Sequence, residues 1–292
     1  MTGVDRRRLL RRLLATAGAG LPMLRAGSVD AATQPVRRRL RFVLVFRNPL
    51  SSALEKQLFW SYLPADSPGT QRMLDVQVSA PHQVRRDPLG HRVLELAFDD
   101  FPPLAQKIVT VTAEVELYDA PKPELLSDPT RWLGAERFIE SDDPRIAALA
   151  GELRRSSPME TARAIYDWTQ RNLRYAGYVV EDLGALHALL EKDGDCTEYA
   201  DLVVALARAN GIPARMVGGY VVDRDAAPRP EDYHNWGELY IDGAWRLVDA
   251  QKENWLVPVD QYVAFHYSHD NVINPVGVAH RYRIQGELIV AY

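Results

Sequence analysis

Between Arg39 and Tyr118 apolar and polar residues alternate in short runs: RLRFVLVFR, KQLFWSYLP, RMLDVQVSA, RVLELAFD and KIVTVTAEVELYD. A period of two puts every second side chain on the same face of a strand, and the β-branched and aromatic content of these runs favours that state. Breaks rich in proline, glycine and aspartate separate the runs, at 64–69, 87–90 and 101–103. Five strands at this spacing predict a small β-sandwich-like module over residues 32–120. It carries no charged constellation, which suits a supporting or substrate-presenting role.

The pattern then changes. A proline-rich stretch, DAPKPELLSDPT, reads as a linker spanning 121–136. Asp143-Pro144 opens PRIAALAGELRR, with proline at the first helical position. Ser157 and Glu160 have the spacing of a capping box ahead of METARAIYDWTQRNL, and GALHALLEK makes a third short helix. Strand patterns return in RMVGGYVVD, HNWGELYID, AWRLVDA and RYRIQGELIVAY. Helices followed by antiparallel strands predict an α+β domain over 137–292. RWLGAERFIESDD, at its start, reads as a segment that packs the domains together.

Residues 1–31 are of another kind. DRRRLLR precedes the apolar stretch Leu13–Leu24 and the small-residue site VDA-A at Val29–Ala32. This is the tripartite layout of a secretory signal, and its arginine pair resembles the twin-arginine type. With cleavage after Ala31, the expected destination is the periplasm or the exterior, with no stable membrane insertion afterwards. The whole chain of 292 residues has a net charge of −4, and loss of the cationic signal makes the remainder more acidic. Nothing in that balance attracts nucleic acid or anionic lipid. No phosphate loop or dinucleotide fingerprint is present, and no cofactor is expected. His266, His269 and His280 are not joined by a cysteine or carboxylate set, so no metal is expected either.

An exported protein normally pairs its cysteines, yet this chain has one, Cys196. In GDCTEYADLVVALARANG, Asp195 stands at the N-cap position, Glu198 three residues on, and Asn210-Gly211 supplies a stop. Cys196 is thereby placed at the first helical position. Free N–H groups and the positive end of the helix dipole favour an anion there, so the thiol pKa is expected to fall. The same N–H groups can receive an oxyanion.

A nucleophilic thiol needs a base, and His234 in YHNWGELYIDGAWRLVD has a carboxylate partner. Asp242-Gly243 predicts a two-residue hairpin in which Ile241 faces Ala244 and Trp236 faces Asp249. His234 then lies on the same face as Asp249 and diagonal to it, within reach of long side chains. The loop VVDRDAAPRPEDYHN precedes His234, and its Arg224, Asp225 and Glu231 are candidates to touch substrate at the mouth of the site.

Taken in order, the cysteine at a helix start, GIPAR…GY, histidine-x-tryptophan on a strand and aspartate ending the next strand resemble the transglutaminase-like superfamily, a branch of the papain-like cysteine enzymes. The resemblance covers about Arg137 to Ala250. It implies a cysteine-bearing helix packed on an antiparallel sheet, with Cys196 as nucleophile, His234 as base and Asp249 as orienting carboxylate of a catalytic triad. It further suggests Tyr175 as an oxyanion donor, and Asp195 and Trp236 as residues lining the substrate site. The implied activity is attack on peptide or carboxamide bonds of a peptide or protein substrate through a thioester. Hydrolysis by a protease or amidase is the first expectation. Transfer of a glutamine acyl group to an amine and a silent peptide- or envelope-binding scaffold stay open beside it.

Overall fold

The computed structural model describes residues 35–277 and 281–291; residues 1–31, with the expected export signal, and His280 lie outside them. The five alternating runs form β1 (Val36–Arg47), β2 (Gln57–Leu63), β3 (Gln71–Val78), β5 (Arg92–Phe98) and β6 (Gln106–Leu117). One short strand, β4 (Gln83–Arg86), has no apolar pattern by which to find it, since all four of its residues are exposed. The inward residues of β1, Leu40, Phe42, Leu44 and Phe46, meet Phe59, Leu94 and Leu96 in one apolar cluster. The Phe46 ring lies 5.0 Å from both Phe59 and Phe98. Residues of this cluster belong to two four-stranded antiparallel sheets, which sandwich it.

The helices follow their caps. α1 (Pro144–Leu153) and α2 (Pro158–Asn172) start from Asp143 and Ser157, whose side chains accept the backbone N–H of Arg145 and Glu160. After a two-residue strand β7 (Arg174–Tyr175) come α3 (Gly184–Glu191), β8 (Asp193–Gly194) and α4 (Cys196–Ala209). The second sheet region contains β9 (Ala214–Val221), β10 (Tyr233–Ile241), β11 (Ala244–Asp249), β12 (Asn254–Trp255) and β13 (Tyr262–Tyr267), in the order β12-β11-β10-β9-β13. The hairpin register is the predicted one, with Ile241 opposite Ala244 and Gly237 opposite Val248. Its loop residues Asp242 and Gly243 have φ of 52° and 75°, a pair of values that glycine and aspartate tolerate.

The last segment departs from expectation. β14 (Tyr282–Gln285) and β15 (Ile289–Ala291) do not extend the second sheet; they pair with β2 and β1 and complete the sandwich. Alternation reveals a strand but not the edge it joins. The proline-rich stretch is also fixed in place: Lys122 and Glu124 N–H donate to Gly69 and Gly243 carbonyls at 2.8 and 2.9 Å. Further along it, Trp132 packs edge-on to Trp245, in a cluster that also holds Ala65.

Helix α4 is buried on all sides from Thr197 to Arg208, so it forms the centre of the second half. Three charged residues, Glu198, Asp201 and Arg208, go in with it. Arg208 is paired with Glu136 at 2.6 Å and donates to the carbonyls of Gly134 and Ala214, with its Nη2 left without a partner. Asp201 is 1% exposed, and neither carboxylate oxygen finds a hydrogen-bond partner. Burial, reinforced by the charges of Asp182, Glu198 and Glu140, pushes its carboxyl well up. A raised carboxyl keeps its proton in the folded state while the unfolded chain gives it up, so stability falls as pH rises above about 4. Asp201→Leu, with the same branching at Cγ and no charge to bury, is expected to raise the melting temperature, and by more at pH 8 than at pH 5. Thermal unfolding at the two pH values checks this.

Candidate functional site

The start of α4 is a small hydrogen-bonded frame. Asp195 Oδ1 accepts Thr197 N–H at 2.7 Å and its Oδ2 accepts Val179 N–H at 3.0 Å. Glu198 returns the bond, accepting Asp195 N–H at 2.9 Å and Leu183 N–H at 3.0 Å. The capping box predicted from the sequence therefore also fastens the 176–183 loop to the helix end. Cys196, half-buried, is the first residue of the helix. The backbone N–H of Asn235 acts on its thiol to favour the ionised form. The Asn235 side chain donates to Thr197 Oγ1 at 2.9 Å, so the helix start is joined to β10 next to His234.

On that strand His234 Nε2 lies 2.7 Å from Asp249 Oδ2. The same oxygen accepts the hydroxyl of Tyr262 at 2.7 Å, and Asp249 Oδ1 accepts Lys252 N–H at 3.0 Å. Asn254 donates to Tyr262 Oη at 2.6 Å. Tyr262, Asn254 and Asn235 were not visible in the sequence as site residues. Asn235 adjoins the histidine and could have been considered, but Tyr262 belongs to β13, whose place in the sheet no local pattern reveals.

Trp236 is 1% exposed and stacks its ring on His234 at 6.3 Å. It supports the imidazole from below instead of facing the cleft. Asp195 is likewise buried, with both oxygens used by backbone donors. Gly219 of β9 stands opposite His234. A Cβ there would lie 2.0 Å from the Val263 carbonyl oxygen and 3.1 Å from the Trp236 ring. Only glycine lets β13 and the tryptophan close up behind the histidine.

Cys196, His234 and Tyr175 line one cleft of about 560 Å³. Lys252 and Gln251 stand on it too, with much of the 221–232 segment, including Arg224 and Glu231. Asp225 does not line it. A separate hollow of about 600 Å³, between Asp87 and Ile273, contains neither Cys196 nor His234.

The electrostatics correct one expectation. The thiol of Cys196 is not lowered by its helix terminus; burial, then the charges of Asp195, Asp249 and Glu198, push it up to about 12 against the help of Asn235 N–H. Capping the helix with carboxylates offsets the dipole that would have favoured a thiolate. Burial works against the Asp249 charge as well, but the hydrogen bond and charge of His234, with Tyr262 and Lys252 N–H, hold its carboxyl below the usual range. Tyr175, 52% exposed, has its hydroxyl pushed up by burial and then by Cys196 and Asp195.

A depressed carboxyl contributes stability above its unfolded pKa, and that stability is lost as pH falls through the folded value. Tyr262→Phe removes one of the bonds that hold Asp249 down, so the acid loss begins at a higher pH. It is also expected to cost about 1 kcal/mol at pH 7. Urea unfolding between pH 3 and pH 7 measures both effects.

Residues 147–250 match the model of the transglutaminase-like superfamily. A candidate cysteine protease from Cytophaga hutchinsonii has a similar structure, at 21% identity, a TM-score of 0.64, and 89% of each chain covered. The periplasmic domain of TgpA from Pseudomonas aeruginosa, solved with ethylmercury, is a more distant likeness, at 19% identity and a TM-score of 0.41 over 76% of this chain and 90% of that one. No curated protein matches the sequence. With Cys196 heading the central helix and His234 and Asp249 on the hairpin packed against it, residues 147–250 are a transglutaminase-like domain, preceded by a β-rich module.

Proposed function

We propose that the protein is an exported cysteine hydrolase of peptide or carboxamide bonds, with Cys196 as nucleophile, His234 as base and Asp249 as the carboxylate that orients it. The observation that carries this reading is the 2.7 Å pairing of His234 Nε2 with Asp249, on a strand whose next residue, Asn235, donates its side-chain amide to Thr197 beside Cys196. Asp249, held ionised, only accepts hydrogen bonds, so the shared proton belongs to Nε2. That leaves Nδ1 with a lone pair for the thiol.

Because burial keeps the resting thiol protonated, attack and proton transfer are coupled. As Sγ bonds to the substrate carbonyl carbon, the thiol proton passes to His234 Nδ1. The carbonyl oxygen becomes an oxyanion beside the backbone N–H of Cys196 at the head of α4, with the Tyr175 hydroxyl as a further candidate donor. Collapse of the tetrahedral adduct breaks the C–N bond, and His234 returns its proton to the departing amine or ammonia. Water then attacks the thioester, giving a proton to His234, and the thiol is regenerated as the acid leaves. Asp249 stabilises the transient imidazolium without taking a proton. Water needs no dedicated site, which favours hydrolysis over amine transfer. Export rests on the sequence of residues 1–31.

Casein and a glutamine-containing peptide, each offered with and without a primary amine, test the reaction by mass spectrometry. Chain cleavage or ammonia release without amine uptake is expected, abolished in Cys196→Ala and reduced roughly a thousandfold or more in His234→Ala. An amine-linked product would replace hydrolysis with acyl transfer. No turnover of any substrate in either format, with Cys196→Ala indistinguishable from the parent, would leave a binding scaffold.

A further inference from the structure

The segment between β9 and β10 forms much of one side of the cleft, through Asp223, Arg224, Ala227 and Pro228 among others. Such a segment, proline-bearing and charged, has little core of its own to hold it. Its conformation is fixed from outside, and the outside is the sandwich.

Strand β1 pairs with β6 along its whole length, from Val36 to Arg47. On its other side β15 covers only Val45–Arg47. The backbone groups of β1 around Leu40 are therefore an open edge, and an open edge takes whatever strand-like segment reaches it. What reaches it is the cleft wall. Ala226 N–H donates to the Arg39 carbonyl at 3.0 Å, Arg41 N–H donates to the Ala226 carbonyl at 2.9 Å, and Leu40 and Ala226 make a parallel bridge. The third available group, Arg39 N–H, is taken by the Asp225 side chain at 2.9 Å. Arg39 is itself steadied by Glu114 of β6, its Nε at 2.9 Å. Lower on the same segment, Arg281, just ahead of β14, donates to the Pro230 carbonyl at 3.1 Å. Four hydrogen bonds thus tie the wall to the sandwich strands and the chain leading into them.

We propose that the β-sandwich is part of the substrate site: β1 carries the cleft wall, and Asp225 is the positioning residue that clamps the wall to it. The inference rests on the reading of the cleft as an acyl-substrate site. It also accounts for Asp225, a polar residue at the mouth that turns away from the cleft and spends its carboxylate on a backbone N–H of another module. In this arrangement Asp225 sets how well an extended substrate is held, while the thiol and imidazole are untouched by it.

Two reagents of different reach separate the clamp from the chemistry. Iodoacetamide needs only the thiol; a tripeptide chloromethyl ketone, Ala-Gln-Ala, also needs the wall. Full-length protein, Asp225→Ala and Asp225→Asn are inactivated by each at pH 8.5, with KI and the limiting rate taken from the saturation curve of the peptide reagent. Loss of one clamping hydrogen bond is expected to raise KI about three- to tenfold in Asp225→Ala. The limiting rate and the iodoacetamide rate should stay within twofold. Asp225→Asn keeps an oxygen that can accept Arg39 N–H, so its KI should stay near that of the parent; a role depending on charge alone would raise it as in Asp225→Ala. An unchanged KI in Asp225→Ala, with a saturating parent, would overturn the clamp and leave the proposed function standing. A parent that shows no saturation and no preference for the peptide reagent would overturn both. A lowered iodoacetamide rate in Asp225→Ala would mean that the residue acts on the fold of the site as a whole, and would overturn the assignment as well.

Discussion

The site depends on the junction between the first turn of α4 and strand β10. Asn235 makes that junction through its side chain, which donates to Thr197 Oγ1. Residue 234 is then constrained to face the cleft beside the thiol, and the two-residue hairpin brings Asp249 diagonally under it. Moving any one of these by a residue would turn His234 or Asp249 to the opposite face, because side chains along a strand alternate. The lack of a side chain at Gly219 lets Val263 and the buried Trp236 close in behind the histidine.

Much of this was legible in the sequence because it is local. The capping box around Cys196 is a four-residue pattern, and the Asp242-Gly243 turn fixes the pairing of 241 with 244 by its length alone. The same hairpin carries His234 and Asp249, so one turn predicted both their face and their approach. What could not be read belongs to the order of strands. Tyr262 reaches Asp249 only because β13 lies beside β9, and β14 and β15 join the sandwich only because edges of β2 and β1 are open to them. Alternation of apolar and polar residues is silent about neighbours. The thiol's electrostatics were misjudged for a related reason. A helix N-terminus favours an anion, but burial and the carboxylates of its cap and its neighbour Asp249 outweigh it, and burial is a property of the assembled fold.

The second half is built at some cost in polar burial. α4 takes Glu198, Asp201 and Arg208 into the interior; Arg208 is paired with Glu136 though its Nη2 finds no partner, and neither oxygen of Asp201 finds one. The helix is held instead by apolar contact on every side, with α1, α2 and α3 around it and β10 beneath. Such a rigid centre suits a residue that must be presented in one orientation. The cleft wall is the opposite case, a polar segment whose order is borrowed from the sandwich through a few backbone hydrogen bonds. Reactive groups on the rigid element and recognition on the tethered one is a division that lets either vary without the other.

The central claim is that ionised Asp249 fixes the proton of His234 on Nε2 and leaves Nδ1 free to take the proton of a neutral thiol. The ring ¹⁵N chemical shifts of His234 at pH 8, assigned by comparison with His234→Ala, measure this directly. The account predicts a protonated Nε2 and a bare Nδ1. A proton on Nδ1 with a bare Nε2, or two protonated nitrogens beside a thiolate, would contradict it.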